Sequence, residues 1–364
     1  MDSPRTRALP VLQALAAALL FGASAPFSKL LLVSIDPLVL AGLLYLGSGM
    51  AALTVQGLRS GLRGAAGRRE RGEARLGKAD APWLAGAVVA GGVAGPILLL
   101  EGLRATPAAT ASLLLNFESV ATALVALVAF REAIGRRVWI ALGVVTAASV
   151  VLSLDAAGTW GLSWGALAVA GACLMWGIDN NLTRQVSAGD PIAVVAVKGL
   201  AAGTVSLSLG LALGRGLPHP GTLLLALLLG AVSYGASIGL FILALRGLGA
   251  ARTGALYATA PFLGAGLSLA LLRETLSVQF LVALPAMAVA VALLVSERHS
   301  HDHVHEALDH DHRHSHDDPH HAHEHPPGLP ASPSGIVTHS HPHRHEPIRH
   351  DHPHAPDIHH RHAH

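Results

Sequence analysis

Hydrophobic and polar positions divide this chain into two unlike parts. Up to about residue 298 it is a series of apolar runs broken by short polar stretches, and from His299 onward such runs cease. The runs fall at Val11–Val33, Leu38–Leu58, Trp83–Leu103, Ala108–Phe130, Val138–Leu154, Trp164–Leu182, Ile192–Leu213, Leu223–Leu245, Gly254–Leu272 and Val278–Val295. Each holds about 17 to 24 residues, enough for a helix to cross a hydrocarbon core roughly 30 Å thick. They lack the period-two alternation of barrel strands and are too long for tilted strands. The pattern therefore predicts an all-α integral membrane protein with ten transmembrane helices. The first run follows Arg5 and Arg7 as a signal peptide would, but it is too long for one and leads straight into a second span.

The pattern also repeats. Gly102-Leu103-Arg104-Ala105-Thr106-Pro107-Ala108-Ala109 returns as Ala244-Leu245-Arg246-Gly247-Leu248-Gly249-Ala250-Ala251, and at the same offset Phe130-Arg131-Glu132 returns as Leu272-Arg273-Glu274. Phe21-Gly22 and Ser28-Lys29 match Trp176-Gly177 and Thr183-Arg184, and Asp36-Pro37 matches Asp190-Pro191. Each copy holds five apolar runs. Five is odd, so if all cross a bilayer the second copy sits upside down relative to the first, the plan of inverted-repeat transporters. The chain is accordingly divided into a first five-helix repeat over 1–155, with a cytoplasmic loop at about 59–81, a second over 156–298, and a tail over 299–364.

Charge sets the expected orientation. With the N-terminus in the cytoplasm, sixteen Lys and Arg fall at inner ends, many of them between Arg59 and Lys78. Four fall outside: Lys29, Arg104, Arg215 and Arg273. The positive-inside rule then places both termini in the cytoplasm of a plasma (inner) membrane protein.

Composition enters next. Only 13% of residues are charged, so the few charges inside spans are informative. Glu118 sits mid-span in Leu115-Asn116-Phe117-Glu118-Ser119 with no cation within a helical turn. A neutral acid costs less to bury than a carboxylate. Glu118 is therefore a candidate for carrying a proton across or meeting a cationic substrate. Asp179, Asn180 and Asn181 lie toward the inner end of the sixth run, and Lys198 lies at similar depth in the seventh. Adjacent antiparallel helices can pair Asp179 with Lys198, either as a structural tie or as part of a gate. Asn116 and Tyr257 complete the candidates for substrate or coupling contacts, with Tyr45 and Tyr234 as further polar groups. Glu101 and Lys29 read as a surface pair or solvated ends. Pro26, Pro96, Pro261 and Pro285 each free a backbone carbonyl within a span. The lone Cys173 reads as a packing residue.

Two five-helix copies, an aromatic-Gly pair in the first helix of each and an Arg-Glu closing the fourth of each resemble the drug/metabolite transporter superfamily, specifically its EamA-type ten-helix permeases. The resemblance covers about residues 8–297. It implies alternating access around a central cavity near the first, fourth, sixth and ninth helices, often with gradient-driven export. It does not single out a substrate.

The tail carries 23 of the 24 histidines, interleaved with acids and prolines. Neutral imidazole ligates zinc, nickel, cobalt and copper, so His301, His303, His305, His310, His312, His314, His316, His320, His321, His323 and His325 are candidate low-specificity metal ligands. With almost no apolar runs to build a core, the tail is expected to be disordered without metal. A pH sensor is a second reading of it.

These features point to a secondary carrier that partners a lipid bilayer and a small-molecule or ion substrate, requires no cofactor and binds no nucleic acid. A divalent metal ion is one candidate substrate and an organic metabolite such as an amino acid is another. From a different class, the chain could be a membrane metal sensor that transports nothing. An enzyme is disfavoured, since no nucleophile–base motif lies in the spans, and no phosphate-binding loop is present.

Overall fold

A computed structural model describes residues 4–65, 76–130, 135–154, 163–186, 190–248, 250–295, 299–305, 308–315, 338–345 and 348–354. Ten helical spans follow in order. Eight are long and apolar enough to cross a membrane. The tenth is apolar but shorter, at Val278–Leu294. The sixth, Trp164–Gln185, is 22 residues long and carries Asp179 and Arg184. The second, Pro37–Ala65, runs past the expected boundary at Leu58. No proline occurs between Pro37 and Pro82, so nothing forces the helix to stop where the apolar run does.

Several spans are not continuous helices. The first divides into Pro4–Gly22 and Ser24–Leu31, the fourth into Ala108–Leu114 and Phe117–Phe130, and the ninth into Ala250–Tyr257 and Ala260–Leu272. The third changes to π-helix over Val88–Ala94 and the eighth over Ala231–Ala236. Pro26, Pro96 and Pro261 each lie in the first turn of the helical segment after a break or π segment, where a missing N–H costs nothing. Of these four prolines, Pro285 alone sits inside an unbroken span. The fifth and seventh spans are Arg136–Ser153 and Pro191–Ala212.

Packing follows the repeat. The second span lies against the seventh, the fourth against the ninth, and the fifth against the tenth. The third packs on the sixth as the eighth packs on the first, and the fourth packs on the sixth as the ninth packs on the first. Two inverted five-helix repeats thus meet about a pseudo-twofold axis. Small residues make the contacts close, as expected where lipid supplies no hydrophobic force between helices. A Cβ on Gly199 would lie 2.6 Å from the backbone of Gly49. Large side chains such as Val128, Trp164 and Val278 point outward and are mostly exposed, an arrangement suited to lipid rather than water.

The tail differs from the sequence expectation. Its described residues form four strands, β1 (His299–His305), β2 (Leu308–Ser315), β3 (Thr338–His345) and β4 (Ile348–His354). β1 pairs antiparallel with β4, and β2 with β3. Histidine at every second position matches the period of a strand, which a composition argument ignores.

Candidate functional site: a polar and aromatic centre

The centre is organised around one freed carbonyl. In the π segment of the third span the Gly95 N–H bonds Ala90 O, five residues back. The next bond of that series would need an N–H on residue 96, which is proline. Gly91 O is left open and accepts the Tyr45 hydroxyl at 2.6 Å and Trp176 Nε1 at 3.0 Å. A π segment and a proline thereby tie the second, third and sixth spans together at one oxygen.

The fourth and sixth spans supply a polar wall. Gly177 allows them to approach, since a Cβ there would lie 2.7 Å from the Ala121 backbone. Asn180 Nδ2 donates to Glu118 Oε1 at 2.8 Å and to Thr122 Oγ1 at 3.2 Å. Glu118 thus has a partner that sequence reasoning did not supply, and it is a neutral amide. Among the described residues no ion pair reaches Glu118. It is half-buried and Asn180 is exposed. Asn181 is buried and bonds Thr122 O and Gly177 O, which makes it a clasp between the two spans rather than a lining residue. Asn116, in the break of the fourth span, is likewise buried and turns to Leu113 O and Met287 Sδ.

Asp179 and Lys198 meet as their depths predict. Lys198 Nζ lies 2.5 Å from Asp179 Oδ1 and 2.8 Å from Oδ2, and Thr183 Oγ1 donates to Asp179 Oδ1 at 2.8 Å. Gly91 makes room for this carboxylate: a Cβ there would sit 2.0 Å from Oδ2.

A second cluster is aromatic. Rings run from Tyr45 to Tyr234 (5.9 Å between centroids), to Phe21 (5.9 Å), to Tyr257 (5.6 Å) and to Phe241 (4.8 Å). They come from the second, eighth, first and ninth spans. Gly22 brings the first and ninth together, since a Cβ on it would lie 2.4 Å from Ala260 O. The aromatic-Gly pair of each repeat therefore has one logic: the glycine admits a neighbouring helix and the aromatic turns to the centre.

The span ends near Glu274 and Lys29 are tied separately. Glu274 accepts from the N–H groups of Ala108 at 2.7 Å and Ala109 at 2.8 Å, capping the fourth span from the end of the ninth. Arg273 before it takes a left-handed conformation, φ 50°, which turns the chain back toward that helix end. Lys29 donates to Leu103 O and Thr106 O. It does not pair with Glu101, which lies 3.7 Å from Arg104 instead. Sequence reasoning saw Glu274 as a repeated acid without seeing what it caps. Glu132, its repeat counterpart, lies outside the described residues.

Among the described residues no three His, Cys, Asp or Glu side chains converge to hold a metal ion. In the tail, the strand register sets His301 opposite His352, His303 opposite His350, His310 opposite His343, His312 opposite His341 and His314 opposite His339, while His305 lies opposite Ile348. His316, His320, His321, His323 and His325 lie outside the described residues.

Comparison with known proteins agrees with this arrangement. The chain is 29% identical over 272 residues to an uncharacterized transporter of Methanothermobacter thermautotrophicus, covering 72% of this chain and 79% of that protein. A crystal structure of a protein at 20% identity shares the fold, with a TM-score of 0.56 over 79% of this chain and 96% of the other. The profile of the EamA-like transporter family matches residues 8–154 and 163–296, one match over each repeat. A non-transporting sensor, like an enzyme, is set aside by this finding: the chain is an integral membrane permease and belongs to the EamA-like transporter family of the drug/metabolite transporter superfamily.

Proposed function

We propose that the protein is a proton-linked secondary permease that moves a small organic solute outward by alternating access, with both termini in the cytoplasm. Glu118 is the group that takes and gives the proton. The observation that carries the reading is the setting of this acid: mid-span, half-buried, and held by Asn180 rather than by a cation. An unpaired carboxylate at that depth is costly unless it has a function. Discontinuous fourth and ninth spans beside it match the way transporters of inverted-repeat plan build central sites. Its recorded partner is Asn180, next in sequence to Asp179, which Lys198 holds. Carboxylate, amide and aromatic groups suit an organic solute better than a divalent metal as cargo. Metal binding belongs to the tail, where the register of histidines opposite one another supports it.

The test needs no known substrate. Dicyclohexylcarbodiimide modifies protonated carboxyls in apolar surroundings. Applied to the full chain in detergent, it should label Glu118, as read by peptide mass spectrometry, and less as pH rises. Glu118→Gln should abolish the label. Labelling confined to other acids, or independent of pH, would remove Glu118 as the proton carrier.

A further inference from the structure

We infer that the tail holds divalent metal ions across its paired strands, each ion shared by two histidines that the register sets opposite one another, so that metal fastens β1 to β4 and β2 to β3. This rests on the reading that metal binds in the tail, and it names how. Three observations carry it. The first is register. In the pairing of β1 with β4, His299, His301 and His303 stand opposite His354, His352 and His350. In the pairing of β2 with β3, His310, His312 and His314 stand opposite His343, His341 and His339. Each ribbon therefore carries three consecutive histidine rungs. The rungs fall on alternate residues, so all three share one face of the ribbon. Alternation of histidine along a strand does not secure this by itself. A slip of one residue would set His301 opposite Asp351 or Pro353 instead.

The second is spacing. Zinc bonds imidazole nitrogens at about 2.0–2.1 Å, so two nitrogens on one ion lie roughly 3.3 Å apart. Residues i and i+2 of one strand are about 6.6 Å apart, whereas directly opposite residues have Cβ atoms about 4.5–5.5 Å apart. Sharing across the ribbon is therefore favoured over sharing along a strand. Each rung supplies two protein ligands, fewer than the three-group clusters that the described residues lack. Water fills the remaining positions, which leaves the ions exchangeable. Imidazole pairs suit zinc, nickel or copper rather than calcium or magnesium, which take oxygen ligands.

The third is what else could hold the ribbons together. A two-stranded ribbon is marginal in water by itself. Apart from prolines, the apolar positions of these four strands are only Val304, Leu308 and Ile348. Asp302 stands opposite Asp351, a like-charge pair that opposes pairing. A row of shared ions supplies the attraction that an apolar face would otherwise give, and binding is then coupled to pairing. The first ion bears the entropy of closing the chain between β2 and β3, and ions at the next rungs meet a ribbon already closed. Filling is therefore cooperative. It also returns His354 to the side of His299, just past the end of the tenth span at Val295.

The experiment counts metal on the purified full chain in detergent. Equilibrium dialysis sets Zn²⁺ at the lowest free concentration that fills the wild type, and elemental mass spectrometry reads zinc per chain. The triple variant His310→Gln, His312→Gln, His314→Gln should lose three ions, one per rung of β2 with β3. The triple variant His339→Gln, His341→Gln, His343→Gln should lose the same three. The two triples combined should still lose only three, because each of those rungs is already broken. The first triple combined with His350→Gln, His352→Gln and His354→Gln breaks every rung and should lose six. A second readout is excimer emission from pyrene maleimide on Ser300→Cys and Pro353→Cys, which are register partners. It should rise with Zn²⁺ and fall with EDTA. Losses that add between β2 and β3, or an excimer indifferent to Zn²⁺ and EDTA, would overturn the inference. If zinc binds while those losses add, the metal reading of the tail stands and the cross-strand inference alone falls. If no zinc binds, both fall.

Discussion

The Asp179–Lys198 pair is where a structural and a transport role separate most cleanly. Its geometry is that of a nearly desolvated ion pair, with Nζ–Oδ distances of 2.5 and 2.8 Å and side-chain exposures of 16% for Lys198 and 9% for Asp179. Removing one partner of such a pair costs about 3–5 kcal/mol, because the other charge is left stranded. Lys198→Met strands the carboxylate, which keeps only Thr183 as a recorded donor. Asp179→Asn should cost somewhat less, about 2–3 kcal/mol, because Lys198 is the more exposed partner and has a flexible stem. The double variant Asp179→Asn with Lys198→Met strands nothing and should lie within about 1 kcal/mol of wild type.

At roughly 2–4 °C per kcal/mol, Lys198→Met should unfold about 6–20 °C early, Asp179→Asn about 4–12 °C early, and the double variant within about 4 °C of the parent. The assay is unfolding of the three variants in detergent, followed by tryptophan fluorescence, with initial transport rates measured in parallel. Additive losses in the double variant would show that the two groups do not act as a pair. A stable double variant that no longer transports would make the pair a gate or substrate contact instead of a tie.

Four further outcomes are expected. Reporter fusions after Arg71 and Arg298 should read cytoplasm and one after Arg215 the outside; a cytoplasmic signal at Arg215 contradicts the proposed orientation. In proteoliposomes Glu118→Gln should express normally yet lose transport or its pH dependence, while Glu118→Asp keeps partial, pH-shifted activity; a wild-type rate and profile in Glu118→Gln would reduce Glu118 to a packing residue. Gly22→Val should misfold or fail to insert, because even a Cβ falls 2.4 Å from Ala260 O, whereas Gly239→Val, with open space around it, should fold normally. Truncation after Arg298 should leave an inserted membrane domain, and a tail peptide should bind Ni²⁺ or Zn²⁺ at pH 7.5 and release it as pH falls through about 6.5, since protonated imidazole does not ligate; calorimetry without binding at pH 7.5 would remove the metal reading of the tail.

Much of this fold was legible because a bilayer permits few solutions. Run length gave the spans, and odd-numbered repetition gave their inversion. Pro26, Pro96 and Pro261 marked three of the interruptions. The pairing of Asp179 with Lys198 could be read from depth alone, since the two spans are consecutive. Other features left no sequence signal. The break at Leu115–Asn116 contains neither Pro nor Gly, and Asn116 makes it locally by bonding Leu113 O. Asn180 meets Glu118 only because Gly177 admits the fourth span, a contact across 62 residues that no periodicity announces. The ring path draws on spans from both repeats, so each tyrosine looks isolated along the chain.

What the two repeats share and what they do not are arranged differently in space. The π segments of the third and eighth spans fall at matching positions, although the third has Pro96 where the eighth has Ile238. The breaks in the fourth and ninth spans also match, and so do the glycines that seat the first span on the ninth and the sixth on the fourth. These shared features lie in the framework, in two equivalent packings related by the pseudo-twofold axis. Beside the shared Phe21 and Trp176, the centre is lined by residues that the repeats do not share. At the repeat offset Glu118 corresponds to Ala260 and Tyr257 to Leu115. Aligned on the aromatic-Gly pair, Asp179 corresponds to Ser24 and Asn180 to Ala25. The first span breaks at Ala23, while the sixth runs unbroken through this region. A symmetric frame can exchange its two ends only if motion is carried by what the halves share. A single site with one acid and one aromatic wall must then be written where they differ.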